Sequence, residues 1–300
     1  MSERIRYAPA GDVELAYETF GDRDDPPVLL IMGLATQMLG WPDEFCEALA
    51  GRGLYVVRFD NRDIGLSTHL HDAPAPDLQA ARKGDTSSAS YTLSDMAADT
   101  AALLDALGIG SAHLVGASMG GMIAQTVAIE HPQRVRSLTS IMSTTGNREV
   151  GGASQEALGA LLAPPARNRE EAVERAIAAF KIIGSPGYTL DEAALRERAG
   201  LSFDRAHDPA GVARQLVGIL ASGDRTPRLR QLDVPALVIH GEADPLIAVS
   251  GGRATAEAIP DAELLVIDGM GHDLPRDLWP RITGAIARLV ERAERSGVAT

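Results

Sequence analysis

The segment His113–Gln125, HLVGASMGGMIAQ, carries the sharpest chemical signal in the chain. An aliphatic run enters Gly116-Ala117-Ser118-Met119-Gly120, and a helical pattern follows at once. A G-x-S-x-G turn between strand and helix is a nucleophile elbow. The turn is so tight that a side chain larger than hydrogen at Gly116 or Gly120 would strike neighbouring backbone. Ser118 is then held strained, with its Oγ exposed near a helix N-terminus. The plainer alternative is a glycine-rich turn with a structural serine, which the strand-turn-helix context argues against.

A serine hydroxyl needs a base, and the base needs an orienting acid. With an elbow serine the partners follow in the order Asp or Glu, then His. The run ALVIH leads into Gly241-Glu242-Ala243-Asp244-Pro245, and ELLVI leads into Asp268-Gly269-Met270-Gly271-His272. Asp244 and His272 therefore each follow a predicted strand, where loops converge on Ser118. Glu242, Asp268 and Asp273 are alternative acids. Among the other histidines, His131 ends a helix beside Pro132, and His69, His71 and His207 lie in polar segments. His113 and His240 sit in apolar strands, as core histidines do. Ester hydrolysis also needs two donors for the developing oxyanion. The N–H of Met119 is one, and the turn Gly33-Leu34-Ala35 after PVLLIM offers Leu34 as the other. Gly33 would allow close backbone approach there, although a simple strand-end turn explains it too. Five methionines (Met32, Met38, Met119, Met122 and Met270) fit either an adaptable apolar pocket or ordinary core.

Short aliphatic runs alternating with longer helical patterns must position these residues, which predicts an α/β chain with a mostly parallel sheet. The strands read are Arg4–Tyr7, Val13–Phe20, Pro27–Met32, Leu54–Phe59, His113–Gly116, Val135–Ile141, Ala236–His240 and Glu263–Ile267. Helices are expected over Thr92–Leu107, with Thr92 and Asp95 at capping-box spacing, over Met119–Glu130, and from Trp279 to about Ala293. The last of these places Ile282, Ile286, Leu289 and Val290 inward. His69–Ser90 reads as a polar loop. Asp60-Asn61-Arg62-Asp63 reads as a charged turn that organises loops by ion pairing.

Gly146–Pro227 holds helical stretches, one opening at Asn168 and another at Thr189, but no convincing strand. At about 80 residues it is too long for a plain connection, and it is expected to cap the sheet's carboxyl edge after the sixth strand. The expected division is a core of residues 1–145 and 228–300 with a helical cap of residues 146–227.

Composition narrows the function. The 300 residues carry 28 Lys plus Arg against 41 Asp plus Glu, a formal net charge of −13, which disfavours nucleic acid and anionic membrane as partners. The one cysteine, Cys46, lies in an amphipathic run and reads as a buried thiol rather than a nucleophile. The opening residues lack a secretion signal pattern, and no apolar run approaches about 18 residues, so a cytoplasmic location is expected. No ligand cluster has metal spacing, and no glycine-rich fingerprint opens the first βα unit, so no metal or cofactor is expected.

The chain resembles the α/β-hydrolase superfamily, and more narrowly the actinobacterial esterases related to aclacinomycin methylesterase. The resemblance rests on MSERI, GDVEL and FGD near the start, Met32-Gly33, GWPDEF at Gly40–Phe45, and RxDxRDxGxS from Arg58 to Ser67. GASMG at Gly116–Gly120 and GMGHDLP at Gly269–Pro275 complete it. It implies an eight-stranded core, a helical cap, a triad on Ser118, Asp244 and His272, and oxyanion donors at Leu34 and Met119. The chain departs from many relatives in having Met32 rather than His before Gly33, and it has Asp63 where the superfamily commonly has Gly, as the methylesterase-like group does. The implied activity is that of a serine carboxylesterase for small to medium esters, methyl esters among them, acting as a monomer or small homo-oligomer. Lactone, carbon–carbon or peptide hydrolysis and perhydrolysis use the same residues, and a ligand-sensing homologue without turnover is the non-enzymatic alternative.

Overall fold

Side chains that alternate between two buried faces build the central sheet. In the strand Pro27–Ile31, Leu29 and Ile31 join the apolar cluster on one face while Val28 and Leu30 join the other. A strand buried on both faces needs helices on both sides, the arrangement of a parallel sheet. The computed structural model describes residues 4–297, so Met1–Glu3 of the MSERI segment lie outside them. The strands are β1 (Arg6–Ala10), β2 (Val13–Phe20), β3 (Pro27–Ile31), β4 (Tyr55–Phe59), β5 (Ala112–Ala117), β6 (Val135–Ile141), β7 (Ala236–Gly241) and β8 (Glu263–Ile267). They form one eight-stranded sheet in the order β1-β2-β4-β3-β5-β6-β7-β8. β2 runs antiparallel to β1 and β4, and the remaining pairs are parallel.

The first strand lies further along than its expected Arg4–Tyr7. Pairing of Ala10 with Val13 leaves only Gly11-Asp12 for the turn, so the ladder runs through Pro9. A proline is tolerated because β1 is an edge strand.

The helices are α1 (Asp43–Ala50), α2 (Leu78–Arg82), α3 (Leu93–Ala106), α4 (Met119–Glu130), α5 (Gln155–Leu161), α6 (Arg169–Ile183), α7 (Glu192–Arg205), α8 (Pro209–Ser222), α9 (Thr226–Leu229), α10 (Val249–Ala258) and α11 (Trp279–Gly297). α3 and α4 cover one face of the sheet with Leu93, Met96, Leu103, Ile123 and Val127. α1 and α11 cover the other with Phe45, Leu49, Ile282, Ile286 and Leu289. The Thr92–Asp95 capping box forms as its spacing predicts. The polar loop after His69 contains α2, which the sequence pattern did not suggest. Asp77 starts it by accepting from the N–H of Ala80 at 2.9 Å. α7 begins at Glu192 rather than Thr189, because Asp191 is the residue whose carboxylate caps it, on Ala194 N–H at 3.0 Å.

Between β6 and β7 the described residues hold α5 to α9 and no strand. Among them, no helix is long and apolar enough to cross a membrane.

α11 offers a test of which contacts hold the sheet face. Ile286 is fully buried and Arg288, two positions on, is exposed. Ile286→Ala is expected to cost about 2–5 kcal/mol by the cavity it opens. Arg288→Ala should stay within about 0.5 kcal/mol of the parent. Urea denaturation of both variants checks the contrast.

Candidate active site

Glycines make the turn at Ser118 possible. A Cβ on Gly116 would sit 2.1 Å from the Gly120 carbonyl oxygen, and one on Gly120 would sit 2.0 Å from that of Ile31. Ser118 itself has φ 55° and ψ −120°, a conformation side chains rarely adopt. Its N–H donates to Ile141 O at 2.9 Å, and its carbonyl accepts from Gly121 N–H and from Ser143 Oγ. The half-buried serine thus stands between the end of β5 and the start of α4.

Two further loops reach it. His272 Nε2 lies 3.0 Å from Ser118 Oγ, and His272 Nδ1 lies 2.7 Å from Asp244 Oδ2. The other carboxylate oxygen, Asp244 Oδ1, accepts the N–H groups of Leu246 and Ile247, each at 2.9 Å. These bonds orient the acid, and its Oδ2 is left to hold the imidazole. Asp244 is 5 % exposed and His272 9 %.

The alternative acids lie elsewhere. Glu242 is exposed and pairs with Arg253, Asp268 is exposed, and Asp273 accepts from Ser185 Oγ. Burial, chiefly, raises the Asp273 carboxyl above the usual range. His113 is bound by Ser137 and Glu294. His240 lies beneath the site with Nε2 on Ile247 O at 2.8 Å. Burial lowers the pKa of both histidines, His113 to about 4.

The turn after β3 passes close beside the serine. A Cβ on Gly33 would lie 3.0 Å from Ser118 Cβ. Leu34 is half-buried, and Met119 occupies the first position of α4, where its N–H has no intrahelical acceptor. Met38 and Met270 are fully buried and serve as core.

Sequence reasoning missed the groups by which the segment between β6 and β7 holds this turn and its neighbours. Ala35, at φ 58°, donates its N–H to Gln215 Oε1 of α8 at 3.2 Å. Gln215, fully buried, donates in turn to Arg62 O at 2.8 Å. Gln37 Nε2 donates to the α7 carbonyl of Ser202 at 2.7 Å. Arg205 of α7 reaches Asp60 Oδ2 at 2.9 Å, while Asp60 Oδ1 accepts Met38 N–H at 2.6 Å. Arg214 of α8 grips Asp63 through two bonds of 2.8 and 2.7 Å, and Arg62 grips Asp99 through two of 2.6 Å. The ion-pairing turn at Asp60–Asp63 is therefore present, with two of its partners on α7 and α8. The one sequence trace of this is Arg214-Gln215 within the otherwise apolar α8.

The loop carrying His272 is held in the same way. Its backbone N–H donates to Ile183 O at the end of α6 at 2.7 Å, and Gly271 N–H donates to Ser185 Oγ at 2.8 Å.

A strand-end serine in an elbow, reached by loops after β7 and β8, is the arrangement of one hydrolase fold, and the α/β hydrolase fold family matches residues 26–275. The chain belongs to that family. Among curated proteins it is similar to rhodomycin D methylesterase DauP of Streptomyces sp. (strain C5), 30% identical over 296 residues, covering 92% of this chain and 94% of the relative. Rhodomycin D methylesterase DnrP of Streptomyces peucetius is 30% identical over the same shares of each chain. 3-oxoadipate enol-lactonase 2 of Acinetobacter baylyi is 29% identical over 86% of each. Among solved structures, the enol-lactonase from Burkholderia xenovorans LB400 superposes with a TM-score of 0.73 at 25% identity, covering 95% of this chain and 100% of that one.

Cys46 is fully buried on the inner face of α1, and burial pushes its thiol up to about 12. The thiol is the attacking form only as thiolate. The native chain should therefore give no reaction with a disulfide thiol reagent at neutral pH, and the denatured chain should release one equivalent, from the single cysteine.

Proposed function

We propose that the chain is a serine carboxylesterase of the α/β hydrolase fold, and that Ser118, His272 and Asp244 are its triad. The observation that carries this reading is the pair of contacts on one imidazole, 3.0 Å to Ser118 Oγ and 2.7 Å to Asp244 Oδ2. Ser118 Oγ attacks the ester carbonyl carbon and passes its proton to His272 Nε2. Asp244 keeps the other ring proton on Nδ1 and stabilises the imidazolium. The N–H groups of Leu34 and Met119 hold the oxyanion. The alcohol leaves with the proton from His272, forming an ester between the acyl group and Ser118. Water, deprotonated by the same imidazole, then releases the acid. The steps need no cofactor.

The similarity to rhodomycin D methylesterases supports a methyl ester as the bond hydrolysed and a small-molecule substrate. Residues 146–227 act in this reading as a cap that shapes the acyl pocket, with 1–145 and 228–300 as the core, in a cytoplasmic enzyme. The enol-lactonase likenesses favour a second reading, a lactone opened by the same steps with its alkoxide still tethered.

Hydrolysis of p-nitrophenyl esters of increasing acyl length, beside a methyl ester and a lactone, tests both. Ser118→Ala should lose about 10³-fold or more of any turnover. Activity retained in that variant removes the serine mechanism, and turnover confined to the lactone selects the second reading. Gln215→Ala, which releases the turn bearing Leu34, should lower kcat by up to about 100-fold with little change in KM. A change in KM alone would show that Gln215 serves binding instead.

A further inference from the structure

A cluster that the reaction does not use lies where the loop after β4 meets the start of α8. His69 Nδ1 is 2.8 Å from Asp208 Oδ2, and His71 Nδ1 is 3.9 Å from the same oxygen. The two imidazoles are stacked, with centroids 5.4 Å apart and planes within 7°. One ligand atom from each of the three residues lies within 4.8 Å of the others. Asp208 Oδ1 is already committed to capping α8, accepting from Ala210 N–H at 3.1 Å and Gly211 N–H at 3.0 Å. This commitment leaves Oδ2 facing the imidazoles.

The protons decide what the cluster wants. His69 Nε2 faces the Gly65 carbonyl at 3.0 Å, and a carbonyl only accepts, so Nε2 carries the ring proton. Without a proton of its own, Nδ1 would point a bare lone pair at a carboxylate oxygen, a second acceptor. Such a contact is attractive only with a cation between the two. A proton serves two atoms, but the Nδ1 of His71 converges on the same place as a third donor of electrons. A metal ion uses all three.

We propose that His69, His71 and Asp208 form a binding site for a transition-metal divalent cation of the Zn²⁺, Ni²⁺ or Cu²⁺ type. Two imidazoles and one carboxylate suit these borderline ions, whereas Mg²⁺ and Ca²⁺ prefer oxygen ligands throughout. Metal–ligand bonds of about 2.0–2.2 Å place tetrahedral ligand atoms about 3.4 Å apart. The carboxylate oxygen lies 2.8 and 3.9 Å from the two imidazoles and all three atoms lie within 4.8 Å of one another, so closing on an ion takes shifts of up to about 1.4 Å, which the exposed His71 ring can make. The backbone carbonyl on His69 Nε2 is the usual outer partner of a metal-bound imidazole, fixing its tautomer. His71, with its side chain 74 % exposed, leaves an entry path and a vertex for water. Arg214 also approaches Asp208 Oδ2, at 3.3 Å, but its guanidinium is anchored by the two bonds to Asp63. A bound ion would bolt the loop after the Asp60–Asp63 turn to the first turn of α8, the helix that carries Gln215.

Calorimetric titration of chelator-stripped chain with Zn²⁺ tests the site. The wild type should bind one ion saturably and melt at a higher temperature in its presence. His71→Ala, altered only at an exposed side chain, should bind about tenfold or more weakly and lose the shift in melting temperature. Asp208→Asn keeps an oxygen for the helix cap and should also lose binding. With Cu²⁺, the electron paramagnetic resonance spectrum should show coupling to two imidazole nitrogens in the wild type and to one in His71→Ala. No saturable binding, Zn²⁺ binding unchanged by both substitutions, or equal affinity for Mg²⁺ would each overturn the proposal.

Discussion

The backbone of Ser118, at φ 55°, is the constraint around which the rest of the site is arranged. Such a conformation costs a serine about 1–3 kcal/mol and persists only where the surroundings leave no alternative. Here the surroundings are unusually close. The Gly116 and Gly120 backbones touch each other, Gly120 rests on the carbonyl of Ile31, and Gly33 lies against Ser118 itself. Relaxing the serine would require moving β3 and β5 apart, two strands buried on both faces. The strain is thus stored against the core of the sheet. The same strain turns Oγ away from the strand and toward the imidazole of His272.

A second constraint is electrostatic, and it works through uniqueness more than stability. Asp60, Asp63 and Arg62 are buried, each with an ion-pair partner that is itself nearly buried: Arg205, Arg214 and Asp99. Burial pushes the Asp60 carboxyl up despite Arg205 and two backbone donors, whereas at Asp63 the bonds from Arg214 and Leu70 outweigh burial and hold it down. Removing charges from water costs much of what pairing returns, so these pairs add little to stability. Losing one partner, however, strands the other in the interior. The loop 60–67 and the helices α7 and α8 are therefore bound to a single mutual arrangement.

Much of the fold could be read from the chain because it is encoded locally. A continuous aliphatic run too short for a helix marks β3, the Thr92–Asp95 pair marks the start of α3, and the glycines of the elbow mark Ser118 by steric necessity. The placement of Asp244 and His272 beside Ser118 was legible for a related reason, since each follows an aliphatic strand whose end faces the elbow. Local rules failed where tertiary contacts decide. β1 extends through Pro9 because β2 is there to pair with it, and α2 forms in a segment that reads as loop, capped by Asp77 and packed inward through the fully buried Ala81. The support of the Leu34 turn was invisible for a stronger reason. Gln215 is 180 positions from Ala35, and Gln37 is 165 from Ser202, so no spacing rule links them.

Those long-range bonds alter what the segment between β6 and β7 is for. A cover that only shaped a pocket would touch substrate and leave the reacting groups to the sheet. This segment instead supplies Ile183 O to the backbone of His272, Gln215 to the backbone of Ala35 and Arg205 to Asp60. Its helices hold both the loop of the proposed base and the turn of a proposed oxyanion donor. Sequence change there is consequently not free to retune specificity alone. Substitutions along the exposed faces of α6 and α7 leave these bonds intact, whereas those at the end of α6 or at Arg205, Arg214 and Gln215 move the groups that meet Ser118.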